Sequence, residues 1–171
     1  MANVDNPIGF RPLYHLMGVP FQANKYILTT GATAYKGDLL KVVAAGTVEP
    51  SAADDGLIVV GVAAEYISDS GSAGGKEILV WDDPYIVFAV QADTGTTVAA
   101  SDVFATANHV AGAGSATTKL SGHELDSSNI GTGAQLKIIG KVDEPANTWA
   151  EHVDLAVLIN EHLYKAAVAG V

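Results

Sequence analysis

HVDLAVLIN (residues 152–160) puts Val153, Leu155, Val157 and Ile159 on one side of an extended chain and His152, Asp154, Ala156 and Asn160 on the other. Side chains that alternate with period two belong to a strand with one buried face. Upstream, Leu136–Val142 (LKIIGKV) sets Leu136, Ile138 and Val142 against Lys137, Ile139 and Lys141. In Tyr85–Gln91 (YIVFAVQ), Ile86, Phe88 and Val90 alternate with Tyr85, Val87 and Ala89. That strand is apolar on both sides, as one covered from both faces would be. Asp82-Asp83-Pro84 joins it to Lys76–Trp81 (KEILVW) through a hairpin or a sharp corner.

Leu57–Ala64 (LIVVGVAA) follows the turn signal Asp54-Asp55-Gly56 and is also apolar on both faces. Gly61 within it marks a bulge or a close backbone approach. Tyr26–Thr30, Asp38–Val43 and Thr47–Glu49 complete the strands, each bounded by Gly or Pro. Ser68–Gly75 (SDSGSAGG) is the most flexible stretch by composition. Ser101–Asn108 reads as one or two helical turns with Ser101 or Asp102 as N-cap. Ser121 and Glu124 have the spacing of a capping box, and Ala111–Thr118 is a loop between the two. Short strands without βαβ alternation predict an all-β fold, a small β-barrel or sandwich with at most one or two short helical turns.

The first 25 residues differ. Pro7, Pro12 and Pro20 interrupt an apolar series (Ile8, Phe10, Leu13, Tyr14, Leu16, Met17, Val19, Phe21) that has neither helical nor strand period. Each proline lacks an N–H donor and biases its predecessor toward extended backbone, which makes the segment poor material for a central strand. Its apolar content is too high for an ordinary disordered tail. There is no basic n-region or continuous apolar core of a signal peptide. The chain is therefore expected to divide into an extended N-terminal arm (1–25), a β-rich domain (26–165) and a C-terminal tail (166–171). The arm should order on another surface, that of a neighbouring subunit or, as the simpler alternative, of its own domain, with Ile8, Phe10, Leu13 and Phe21 as anchors and Arg11 available to a carboxylate. Deleting Ala2–Pro12 should then leave the β domain folded.

Of 171 residues, 49% are hydrophobic and 16% charged, against a usual charged share of roughly 25%. The 18 glycines and 7% aromatic content leave weakly polar surface suited to subunit contacts. No cysteine is present, so no disulfide framework or thiolate chemistry is expected. Nine basic residues are scattered through a chain of net charge −10, which argues against nucleic acid and against an acidic membrane surface as partners. No apolar run approaches the roughly 18 residues of a membrane helix.

Candidate chemistry is sparse. His15, His109, His123, His152 and His162 show no His-x-His or His-x3-His spacing, and a zinc site needs three or four converging ligands. Asp54-Asp55 and Asp82-Asp83 adjoin Gly56 and Pro84, where Asp serves turns. Neither a Gly-x-Ser-x-Gly elbow nor a Gly-x4-Gly-Lys phosphate loop occurs. Trp81 and Trp149 are candidates for sugar stacking and, more simply, for core or interface packing. The expectation is a chain without catalytic residues, metal ligands or cofactors.

Several short motifs in order carry a resemblance. They are Met1-Ala2-Asn3-Val4-Asp5-Asn6-Pro7-Ile8-Gly9-Phe10-Arg11-Pro12, His15-Leu16, Tyr35-Lys36-Gly37-Asp38, Gly46-Thr47-Val48 and Gly61-Val62-Ala63. Later come Asp82-Asp83-Pro84, Val87-Phe88, Val90-Gln91-Ala92-Asp93, Glu124-Leu125-Asp126-Ser127-Ser128 and Leu158-Ile159-Asn160-Glu161-His162. Together they resemble the capsid decoration, or cement, proteins of tailed bacteriophages. The resemblance implies β-rich subunits, commonly homotrimers, seated on the outer surface of the virion over junctions between major capsid proteins, with the arm in subunit contacts. The alternatives are a carbohydrate- or receptor-binding module, a hydrolase, or another virion structural component.

Overall fold

Turns break this chain into short strands, and the computed structural model, which describes residues 3–43, 45–53, 58–71 and 74–165, closes five of them into a barrel. The strands are β1 (Arg11–His15), β2 (Asn24–Leu28), β3 (Thr33–Ala34), β4 (Leu39–Val42), β5 (Val48–Pro50), β6 (Val59–Ala63) and β7 (Ile67–Ser68). They continue as β8 (Lys76–Trp81), β9 (Ile86–Gln91), β10 (Thr106–Ala107), β11 (His109–Gly112), β12 (Gly122–Leu125), β13 (Leu136–Lys141) and β14 (Asp154–Ile159). The barrel runs β2-β5-β4-β6-β8, and a five-stranded antiparallel sheet runs β1-β9-β14-β13-β10. Two ribbons, β3–β7 and β11–β12, complete the all-β architecture.

Strand β6 joins the two bodies. Val60 and Ala63 point into the barrel with Leu28, Leu40, Val48, Ile78 and Val80. Val59 and Val62 face the other way, into the larger core with Phe88, Leu155 and Val157. A strict two-residue alternation would not give this split. The register passes from Leu40↔Gly61 to Lys41↔Val59, so Val60 is the extra residue of a bulge. A Cβ at Gly61 would collide with the Trp81 carbonyl oxygen, so the close approach expected there is real.

Val153, Leu155, Val157 and Ile159 all lie in the larger core, as the alternation predicts. Ala156, expected outside, is buried on the opposite sheet face with Val87, Ala89 and Val142, and β9 is buried on both faces. Val142 is a second correction. A bulge between Ile138 and Gly140 turns it away from Leu136 and Ile138 and onto that opposite face. Asp82-Asp83-Pro84 makes a corner rather than a hairpin, since β8 belongs to the barrel and β9 to the sheet.

The helical expectations shift. Ala100–Asp102 is one 3-10 turn in which the Asp102 carboxylate accepts the Ala99 N–H (2.8 Å), so Asp102 closes the turn from inside rather than capping it. Residues beyond it enter β10 and β11. Ser121–Glu124 is no capping box, because Gly122–Leu125 is strand β12. The second 3-10 turn is Ser127–Asn129, where Asp126 accepts the Ser128 N–H. The Asp54-Asp55-Gly56 turn, Leu57, and the tail 166–171 lie outside the described residues, as do Ser72 and Ala73 of the glycine-rich loop.

The N-terminal segment packs on its own domain. β1 pairs with β9 at the edge of the sheet, which accommodates Pro12. Phe10 is 1% exposed in the larger core, and its N–H donates to the Gly37 carbonyl (2.9 Å). The Asn3 amide donates to the carbonyls of Thr148 and Glu151 (both 2.8 Å). Residues 2–12 therefore include a core side chain, and their deletion removes part of the fold. Phe10→Ala should cost about 3–5 kcal/mol of unfolding free energy, measured by denaturant titration. A loss below about 1 kcal/mol would show that Phe10 is not a core residue. Val157→Asp should leave no cooperative unfolding transition, because it buries an unpaired charge between β9 and β13.

Candidate functional site

Three places gather chemistry or unusual surface. The first lies at the sheet edge. From the bulge residue Leu13 onward, Leu13, Tyr14, Leu16, Met17 and Val19 are exposed, Met17 to 73%, and Tyr85 is exposed beside them. The Leu16 N–H donates to the Tyr85 carbonyl (3.0 Å), tying the run to the start of β9. The turn is held by His15, which is buried: its Nδ1 accepts the Met17 N–H (3.1 Å) and its Nε2 lies 3.2 Å from Asp83. Anchored at its base, this run presents apolar side chains outward beside an open strand edge.

Of the five residues expected to anchor the arm, Leu13 alone joins that surface. Phe10 is core, and Phe21 is partly buried against the same core. Ile8, Phe10 and Arg11 come together with Trp81 and Leu120 around an apolar pocket of about 340 Å³. Arg11 meets the carboxylate of Asp154 in its own chain (3.6 Å). Tyr14, Leu16, Met17 and Val19 are visible in the sequence as apolar residues without a period. What the sequence does not show is that a turn at His15–Gly18 holds them in solvent.

The second place is a cleft of about 510 Å³ between the N-terminal segment and residues 144–154, bordered by Asp5, Arg11, Gln91, Glu144, His152 and Asp154. Gln91 fastens the segment from below, accepting the Asn6 N–H (2.8 Å) and donating to the Val4 carbonyl (3.1 Å). At one side of the cleft, Asp5, Glu124 and His152 bring one ligand atom each to within 4.8 Å of one another. No spacing rule reveals this trio, because it comes from the N-terminal segment, β12 and the turn before β14. His152 has left-handed backbone (φ 55°), and its Nδ1 is buried with no hydrogen-bond partner among the described residues. Burial, and then the charges of Asp5 and Asp93, push the half-buried Glu124 carboxyl up to about 7.

The third place is internal. The rings of His109 and His123 stack at 5.1 Å, with His123 Nε2 3.5 Å from Asp38. His109 is satisfied by the Gln135 side chain (2.8 Å) and lies 3.2 Å from the Ser51 carbonyl, and His123 Nδ1 accepts the Leu39 N–H (3.2 Å). Burial pulls His123 down to about 3 and raises Asp38, so both move toward their neutral forms. These groups connect the β11–β12 ribbon to β4, a structural role. Among the acidic pairs, Asp83 accepts the Tyr85 N–H (2.9 Å) as a turn residue does, and Asp82 accepts from Asn24 (2.8 Å) and Tyr26 (2.6 Å). Trp81 and Trp149 are partly buried against the larger core.

No family model, no curated protein and no solved structure matches this chain.

Glu124 gives a signed pH dependence. Its folded pKa lies above that of the unfolded chain, so the folded state holds the extra proton between about 4.5 and 7. Its contribution to stability is complete below that window and is lost as pH rises through it. In metal-free buffer, the stability of Glu124→Gln relative to the parent should therefore grow from pH 4.5 to 7 and then level off. The gain per pH unit should stay below the roughly 1.4 kcal/mol of a fully shielded group. A flat difference across that range would show an ordinary, solvated carboxyl.

Proposed function

We propose that this chain is a structural protein of a tailed-bacteriophage virion, one that decorates the outer surface of the head and bridges neighbouring major capsid proteins. The carrying observation is the exposed apolar run Leu13–Val19, with Tyr85, tied to the start of β9 beside β1, the edge strand of the main sheet. Surface of that kind marks a contact with another macromolecule, and an exposed strand edge is itself a pairing template. The ordered series of short motifs adds the resemblance to decoration proteins, and the net charge of −10 keeps the remaining surface repulsive toward like copies. A homotrimer fits the threefold positions of an icosahedral shell. A sugar- or receptor-binding platform on Trp81 or Trp149 has less support, because both rings are used in packing.

The mechanism is linkage. A subunit that binds only the assembled shell stabilises that state by roughly 2.7 kcal/mol per site at a free concentration of a hundred times Kd. Over many sites the gain accumulates wherever each subunit spans neighbours that must part when the shell bursts.

Leu16→Glu and Met17→Glu test this reading, since both side chains are exposed and the bonds these residues make run through their backbone N–H groups. Each variant should keep its melting temperature, while co-sedimentation with undecorated heads weakens at least about fivefold, the loss of an interface contact of about 1 kcal/mol or more. Light scattering should give a trimer for the parent chain. Unchanged attachment of both variants, or a parent that stays monomeric both free and on heads, would count against the proposal.

A further inference from the structure

We propose that Asp5, Glu124 and His152 form a site for one divalent transition-metal cation of the zinc or manganese kind, which fastens the N-terminal segment to the domain. The inference is independent of the capsid reading. Its basis is convergence: three side chains from three distant segments place a ligand atom each within 4.8 Å of the others. Around a single ion with bonds of about 2.0–2.2 Å, ligand atoms sit roughly 3–4 Å apart, so the trio need draw in by only about 1 Å.

The groups are those a cation would satisfy. A buried imidazole nitrogen of His152, Nδ1, has no hydrogen-bond partner among the described residues. Glu124 is half-buried with Asp5 and Asp93 adding negative charge, and the Asp93 carboxylate accepts the Ser127 N–H (2.9 Å) and hydroxyl (2.6 Å). One imidazole with two carboxylates suits zinc or manganese, whereas calcium and magnesium favour all-oxygen shells. Because Asp5 and His152 also border the 510 Å³ cleft, the remaining coordination positions would face solvent-filled space.

The consequence lies in the N-terminal segment. Asp5 sits between Asn3, held by the Thr148 and Glu151 carbonyls, and Asn6, held by Gln91. A cation there would tie the exposed Asp5 side chain, between these two held positions, to the domain.

The test uses untagged full-length protein freed of metal by chelator dialysis, titrated calorimetrically with Zn2+ and with Mn2+ at pH 7.5. One ion per chain is expected for at least one of these metals, with slower amide exchange at residues 3–6 once it is bound. Asp5→Asn, a change at an exposed position, should weaken binding at least about tenfold. His152→Gly, which keeps the left-handed backbone, should do the same. Absence of saturable binding at millimolar metal would overturn the proposal, as would stoichiometric binding unchanged in both variants. Tighter binding of Ca2+ or Mg2+ than of either probe would overturn the assignment of the cation.

Discussion

The fold depends on one strand having no polar face. β6 is the wall of the barrel and also the floor of the larger core, so every side chain from Val59 to Ala63 must leave water. A regular strand cannot send two neighbouring pairs of valine and alanine to the two cores in the observed order. The bulge at Val60 does so, and the absence of a side chain at Gly61 lets the backbone of β8 come close enough to continue the barrel. Burial of apolar surface on both sides of β6, one side in the barrel and the other against β9 and β14, is what makes barrel and sheet a single body.

With both central strands enclosed, polar and apolar demands move to the periphery. β1 closes one edge of the sheet while Phe10 plugs the core beside it, and the chain must then turn back over the corner where β8 becomes β9. His15 and Asp83 stabilise that turn. The cost is that the apolar side chains of Leu13, Tyr14, Leu16, Met17 and Val19 have nowhere inside to go. For a protein whose proposed role is adhesion, this leaves a contact face tied to the sheet at its base by the Leu16–Tyr85 and His15–Asp83 contacts.

Much of the strand pattern is legible in residues 152–160 and 85–91, where alternation or its absence reports burial directly. The bulges are not. Those at Ile138–Gly140 and Val60 each reverse the facing of the residues beyond them, and only Gly61 advertises its own position. Ser121–Glu124 misleads because Ser-x-x-Glu spacing is a local signal, and pairing of β12 with β11 outweighs it. The N-terminal segment is recognisable as extended and proline-limited, yet sequence cannot say which surface an adhesive segment will meet. Phe10 meets its own core. The Asp5–Glu124–His152 convergence is invisible for a related reason: residues 119 and 28 positions apart are joined only by tertiary structure.

Hydrogen–deuterium exchange of the full chain, free in solution and bound to undecorated heads, bears most directly on the proposed role. Slowed exchange on the heads is expected at residues 13–19 and at the start of β9 around Tyr85, with β6 and β9 already slow in both states. Protection confined to the cleft beside His152, or to the β11–β12 ribbon with residues 13–19 unchanged, would contradict an adhesive role for the sheet edge.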